Sequence, residues 1–193
     1  MGAVTFEFQS HYDGDQPLHH TFTSTLLIAA TFLAGCVSMQ KAPIKPVDHV
    51  ELARFMGSWY VIGSIPTFFE KNAYNAVESY QQNSNGTINT TFNFHKGSFD
   101  GPVKIMKPTG FIRDPSNAVW GMRLVWPVKA EYLIAYLDPD YSETIIARSA
   151  RDYVWIMAKK PQVSDAGYQR LLNQVGSMGY DISKVRRVPQ RWP

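Results

Sequence analysis

The residues able to do chemistry are few. Cys36 is the single cysteine of the 193-residue chain, so no disulfide can form within it. Nucleophilic catalysis would set a Ser, Thr or Cys beside a His and an acid. After Cys36 only His49 and His95 remain, one in a proline-spaced segment and the other on the polar side of an alternating run, and both read as surface residues. No Cys/His pair has zinc spacing and no glycine-rich loop opens a helix, so neither a metal nor a cofactor is expected. Asp138 and Asp140 flank Pro139 in a turn, where carboxylates ordinarily accept local hydrogen bonds. Glu78 is the one ionisable candidate for an interior role, if it faces inward with Tyr80.

The elements that must position these residues are those of one ordinary domain with a sizeable core, 45% hydrophobic and 13% aromatic. Residues 1–36 contain Glu7, Asp13 and Asp15 but no Lys or Arg, so all 19 basic residues lie beyond them. That bias toward anionic surfaces is mild and scattered, and no nucleic-acid partner is expected from it. No run reaches the roughly 18 to 20 apolar residues of a membrane-spanning helix.

The longest apolar stretch, Leu26-Leu27-Ile28-Ala29-Ala30-Thr31-Phe32-Leu33-Ala34-Gly35, runs directly into Cys36. About ten residues suit the core of an export signal and are too short to span a bilayer. Leu33-Ala34-Gly35-Cys36 resembles the lipobox of bacterial lipoproteins, which implies cleavage before Cys36 and acylation of that residue. Two acyl chains already give stable anchoring, at about 0.8 kcal/mol per buried methylene. The signal departs from the pattern in having no Lys or Arg before the apolar run. Val37 follows the cysteine where Asp would imply retention at the inner membrane, so the resemblance places the protein on the periplasmic face of the outer membrane. The expected division is a removed signal at 1–35, a lipid-anchored tether at 36–46 held extended by Pro43 and Pro46, and a folded domain at 47–193.

From Trp59 onward the chain shows short runs of period two between turn residues. In Ile88-Asn89-Thr90-Thr91-Phe92-Asn93-Phe94-His95 the even positions form an inner face, and Asn85-Gly86 just before it suits a tight hairpin turn. Further strands are expected over 59–65, 74–82, 103–112, 118–126, 131–137, 144–149 and 153–159, making eight, joined by short turns into a meander. Closing them as an all-β, antiparallel up-and-down barrel would remove the exposed edges. One α-helix is expected near the C-terminus, N-capped by Ser164, with Tyr168, Leu171, Leu172 and Val175 on one face and Gly179 as its stop. A final short strand is expected over 185–188. The late strands are apolar on both faces, so the helix must cover one. We expect the aliphatic set Leu133, Ala135, Leu137, Val154, Ile156 and Ala158 beneath the helix, and the aromatic set inside.

At the start of the first strand stands Gly57-Ser58-Trp59-Tyr60, preceded by the helical turn Val50 to Met56. With the Asp138-Pro139-Asp140-Tyr141 turn, the Trp155-Ile156-Met157-Ala158 strand and the following helix, this resembles the lipocalins, over roughly residues 47–189. Arg151-Asp152-Tyr153-Val154-Trp155-Ile156 and the lipobox are most similar to the bacterial outer-membrane members, relatives of apolipoprotein D. The resemblance implies structural roles for Gly57, Trp59, Asp140 and Tyr141. It also implies a base closed by an Arg packed over Trp59, where this chain carries Lys159, which lacks the planar stacking and forked donors of Arg.

The first functional expectation is a lipid-binding module that stores or carries a fatty acid or lysophospholipid in the cell envelope, with no catalytic role. Its interior lining would comprise Glu78, Tyr80, Phe92, Phe94, Tyr132, Ile134, Tyr136, Tyr153, Trp155 and Met157. Eight strands enclose a space barely wide enough for side chains or one ligand, so a filled barrel serving a structural envelope role stands as an alternative. A lipocalin-like enzyme acting on an apolar substrate is the other, and a homodimer is left open.

Overall fold

The alternating pattern produces a sheet that closes on itself. In the computed structural model, which describes residues 41–192, strands β1 (Gly57–Ile65), β2 (Ala73–Gln82), β3 (Ile88–Lys96), β4 (Val103–Met106), β5 (Thr109–Ile112), β6 (Val119–Arg123), β7 (Ala130–Leu137), β8 (Glu143–Ala147), β9 (Val154–Ala158) and β10 (Arg186–Arg187) follow in order. Apart from β4 with β5 and β9 with β10, neighbours in sequence pair antiparallel, and β9 returns to β1, closing an eight-stranded barrel in which β4 and β5 share one place. The strand expected over 103–112 is split: β4 and β5 pair with opposite ends of β3 and are separated at Lys107-Pro108, where proline has no N–H to give to a ladder. β10 adds a short pairing to the outer half of β1, at Gly63 and Ser64.

A hairpin forms where the Asn85-Gly86 pair implied one, with its turn centred on Ser84-Asn85, since Gly86 N donates to Asn83 O at 3.0 Å. Gly86 takes φ +80°, and Asn83 N donates to Thr87 O at 2.8 Å. The register it sets, Tyr80 opposite Thr90 and Glu78 opposite Phe92, carries the inner face of β3 onto β2. Ile88, Thr90, Phe92 and Phe94 are all buried.

The helices are α1 (Leu52–Phe55), beneath the start of β1, and α2 (Asp165–Ser177), which lies on the outside of the wall. Ser164 Oγ caps α2 by accepting from Gly167 N, 3.1 Å away, and Gly179 ends the turn with φ +85°. Leu171 and Val175 are fully buried against Leu133, Ile145, Val154 and Ile156, while Tyr168 is half-buried and Leu172 stays at the margin. The helix comes close enough to β1 that a Cβ at Gly63 would sit 3.0 Å from the Tyr168 ring.

Two expectations are corrected on β7. The register slips between Ile134 and Tyr136, an extra residue in that strand against β8. Beyond a bulge the alternation inverts. Tyr136 therefore packs in the outer cluster under α2, where its hydroxyl accepts from Arg170 Nη1 at 3.2 Å, and Leu137 turns into the barrel. The expected strand over 118–126 ends at Arg123, and residues 124–129 form an exposed loop. Residues 41–46, expected as part of the tether, carry no regular structure and lie on the folded domain: Ile44 is 7% exposed within the helix-side cluster and Lys41 Nζ donates to Gly179 O over 2.7 Å. The signal, Cys36 and residues 36–40 of the expected tether lie outside the described residues.

Candidate functional site

The site begins from a sealed base. Trp59 is fully buried and donates its indole N–H to Phe55 O at 2.8 Å, which locks α1 against β1. Lys159 Nζ lies 4.1 Å from the centre of a Trp59 ring and donates to Met56 O at 2.8 Å, and partial burial lowers its pKa to about 8. Gly57 enters β1 with φ +87°, a backbone conformation that other residues adopt only with strain. Beside it, Arg54 lies 4.0 Å over the Tyr141 ring and donates to Pro139 O, while Tyr141 Oη accepts from Glu51 N. In this turn Asp138, rather than the expected Asp140, does the organising: its oxygens accept from Ser142 N, Ser142 Oγ and Glu143 N at 2.6 to 2.8 Å. Asp140 is exposed and makes no side-chain hydrogen bond among the described residues.

Above the base the rings of Phe55, Tyr80, Trp120 and Tyr132 fill the barrel, with centroids 5.5 to 5.6 Å apart along the contacts Phe55–Tyr80, Tyr80–Trp120 and Trp120–Tyr132. Tyr80 and Tyr132 join hydroxyl to hydroxyl. Ile134 and Met157 are fully buried in the same layer. The lower barrel is therefore a packed core, and Tyr80, Ile134 and Met157 support the site from below rather than lining it.

The upper barrel holds a cavity of about 310 Å³ that opens beside Phe68, Phe69 and Leu124. Five of the expected lining residues are on its wall: Glu78, Phe92, Tyr132, Tyr153 and Trp155. Phe94 borders a neighbouring groove with Lys71, Lys96 and Lys104, and Tyr136 is outside the barrel altogether. Sequence reasoning missed Met106, Met122 and Glu70. Met122 carries a signal, since Ala118, Trp120 and Met122 alternate inward as the rows of the other strands do. Glu70 carries none. It belongs to a 3-10 turn over Phe68–Glu70 that folds its carboxylate back under the rim, where Oε2 accepts from Trp155 Nε1 at 2.9 Å.

The cavity is thus apolar with two buried acids. Burial raises Glu70 above the ordinary carboxylate range. For Glu78, burial first and the Glu70 charge second raise the pKa to about 8, while Tyr80 beside it works in the opposite direction. Burial, with the charge of Glu78, holds both Tyr80 and Tyr132 well above the usual phenol range, so both hydroxyls keep their protons. No Lys, Arg or His is among the lining residues. Nor do any three His, Cys, Asp or Glu side chains cluster as metal ligands among the described residues.

A closed up-and-down barrel with a tryptophan-sealed base, a ligand-sized apolar cavity at the open end and a helix on one wall defines a class of small β-barrel proteins. The model of the lipocalin-like domain matches residues 50–190, and the chain belongs to that family. Its relatives include temperature-induced lipocalin-1 of Arabidopsis thaliana, 29% identical over 164 residues and covering 78% of this chain and 85% of that one. They also include the outer membrane lipoprotein Blc of Citrobacter freundii, 27% identical over 168 residues, with 84% and 93% covered. Among solved structures, insecticyanin of the tobacco hornworm Manduca sexta superposes with a TM-score of 0.59 at 16% identity, covering 76% of this chain and 84% of that one. That likeness is one of fold.

Proposed function

We propose that this chain is a membrane-anchored lipid-binding protein that stores or carries single-chain lipids, fatty acids or lysophospholipids, in a bacterial cell envelope. The observation that carries the reading is the cavity itself: about 310 Å³, walled by Phe92, Met106, Met122 and Trp155 and open at one end, above a base packed solid. That volume lies at the lower end of small-ligand sites and suits one chain. Each buried methylene contributes about 0.8 kcal/mol, so affinity should rise with chain length until the cavity is full. With the chain inside, an anionic head emerges at the rim near the exposed Lys71 and Lys104, which border the adjoining groove with Phe68 and Phe69. The similarity to outer membrane lipoproteins named Blc supports an envelope location, and the Leu33-Ala34-Gly35-Cys36 sequence supports an anchor at Cys36.

Two experiments test the halves of this reading. Delipidated full-length protein should retain one radiolabelled oleate or lysophospholipid per chain through gel filtration, and Ala130→Trp, which fills the cavity, should abolish retention while the circular dichroism is unchanged. Retention undiminished by Ala130→Trp would place the lipid elsewhere. Palmitate fed to cells should label the protein and spare Cys36→Ser; label on the serine variant would refute the anchor.

A further inference from the structure

The two acids are out of keeping with a container for carboxylates. Glu78 is 7% exposed and lines the cavity, so a charge there meets little water. Tyr80 is the one side-chain donor beside it, and the Tyr80 hydroxyl is also engaged with Tyr132. An ionised carboxylate has room for about four hydrogen bonds, so most of the accepting capacity of Glu78 is unused. Glu70, on the 3-10 turn that packs over the same cavity, has one oxygen tied to Trp155 and Thr67 beside it as a further donor. Around the pair stand the faces of Phe92, Tyr132, Tyr153 and Trp155. A buried acid with spare acceptor sites beside a second acid, in an aromatic surround with no basic residue on the wall, forms an environment complementary to a cation.

We propose that the cavity selects single-chain amphiphiles with an ammonium head, seating that head between Glu70 and Glu78 with the chain against Phe92, Met106 and Met122. The proposal rests on the reading that the cavity takes an amphiphile, and it names the charge of the head. A carboxylate head has no counter-ion inside and must stay at the rim. There the exposed lysines act through water and salt, which weaken such pairs to a small fraction of their strength in a dry site. The acid pair acts in the dry site, so the ammonium has the advantage.

Protonation supports the assignment. The titratable groups facing Glu78 are Glu70 from the 3-10 turn, Tyr80 on its own strand and Tyr132 on β7. Both tyrosines stay neutral. Below about pH 8 Glu78 holds a proton, and an arriving ammonium must displace it. Ammonium binding should therefore release a proton and strengthen as pH rises toward 8. A fatty acid brought against the same pair would have to enter protonated, and its binding would weaken over that range.

The test compares dodecylammonium, dodecanoate and dodecanol, three heads on one chain length, titrated into the delipidated full-length protein with Trp155 as reporter. Alkylammonium stays charged to about pH 10, so the amine is a cation throughout. At pH 7.5 dodecylammonium should bind at least about tenfold more tightly than dodecanoate. Glu70→Gln/Glu78→Gln should shrink that ratio to within about threefold, and dodecanol should bind both proteins alike. Dodecanoate binding as tightly as the amine, or an amine preference that survives the double substitution, would overturn the proposal while dodecanol binding leaves the lipid-binding reading intact. Failure of all three would overturn both. Because glutamine also changes the partner of Trp155, isothermal calorimetry of the same ligands provides a readout independent of fluorescence.

Discussion

Trp155 donates its indole N–H to Glu70 Oε2 across 2.9 Å, tying the last barrel strand to the turn at the rim on the wall of the cavity. A strand residue and a loop residue far apart in sequence are thereby fixed against each other. Whatever enters the cavity meets an indole whose polar end is already held and whose ring stacks on Tyr132 with centroids 6.2 Å apart, and its place on the wall makes Trp155 the natural reporter of occupancy.

The base should prove structural and separable from ligand uptake. Trp59→Ala removes a fully buried indole and its bond to Phe55 O, and should cost about 3 to 5 kcal/mol in urea unfolding. Lys159→Ala, which loses the bond to Met56 O and the contact with Trp59, should cost about 1 to 2 kcal/mol, and Lys159→Arg should restore full stability. An unfolding midpoint unmoved by Trp59→Ala would contradict the assignment.

Stability should fall as pH rises across the range in which the folded chain holds a proton on Glu78 and the unfolded chain does not. Folded Glu78 titrates at about 8 and the unfolded residue at about 4.5, so the native state binds the extra proton between these values. Stability is then highest at the acidic end of that window, declines through it by at most about 1.4 kcal/mol per pH unit, and levels off above 8. Glu78→Gln should flatten the decline, leaving the part due to Glu70, which is raised in the same direction. Urea denaturation at pH 5 and pH 8.5 measures this; parallel wild-type and variant curves would show that Glu78 is ionised and solvated at neutral pH.

Tyr136 should be irrelevant to ligand. Tyr136→Phe removes only its bond to Arg170, at a cost below about 1 kcal/mol, and should leave lipid titrations unchanged. Phe92→Trp should enlarge the fluorescence response and Tyr136→Trp should not, because the first lies on the cavity wall and the second beneath α2. A ligand-dependent signal from tryptophan at position 136 would refute the bulge on β7.

Much of this arrangement was legible in the sequence, and its gaps have physical causes. Ile88, Thr90, Phe92 and Phe94 announce their face because a strand has a period of two, and the Asn85-Gly86 hairpin transfers that face to Tyr80 and Glu78. Tyr136 was misplaced because one extra residue in β7 inverts the alternation, and the local sequence Ile134-Ala135-Tyr136-Leu137 is apolar on both sides of the slip. Trp120 and Met122 share the pattern and were readable as interior, but depth along the barrel is not periodic. Nothing in the sequence separates Tyr80, Ile134 and Met157 in the packed layer from Glu78 and Trp155 on the cavity wall. Glu70 was illegible for a different reason: its burial follows from how the Phe68–Glu70 turn folds over the rim, a tertiary outcome with no local signal.

The central claim, that the upper barrel is an open site for one lipid chain, is tested most directly by titrating delipidated, folded protein with saturated lipids of increasing chain length while following Trp155 emission, with Trp155→Phe as control. The account predicts a saturable change at one equivalent, with affinity rising by roughly fourfold per added methylene until the cavity is full, and loss of most of the signal in the control. A flat titration at every chain length, or a response that persists undiminished in Trp155→Phe, would contradict it.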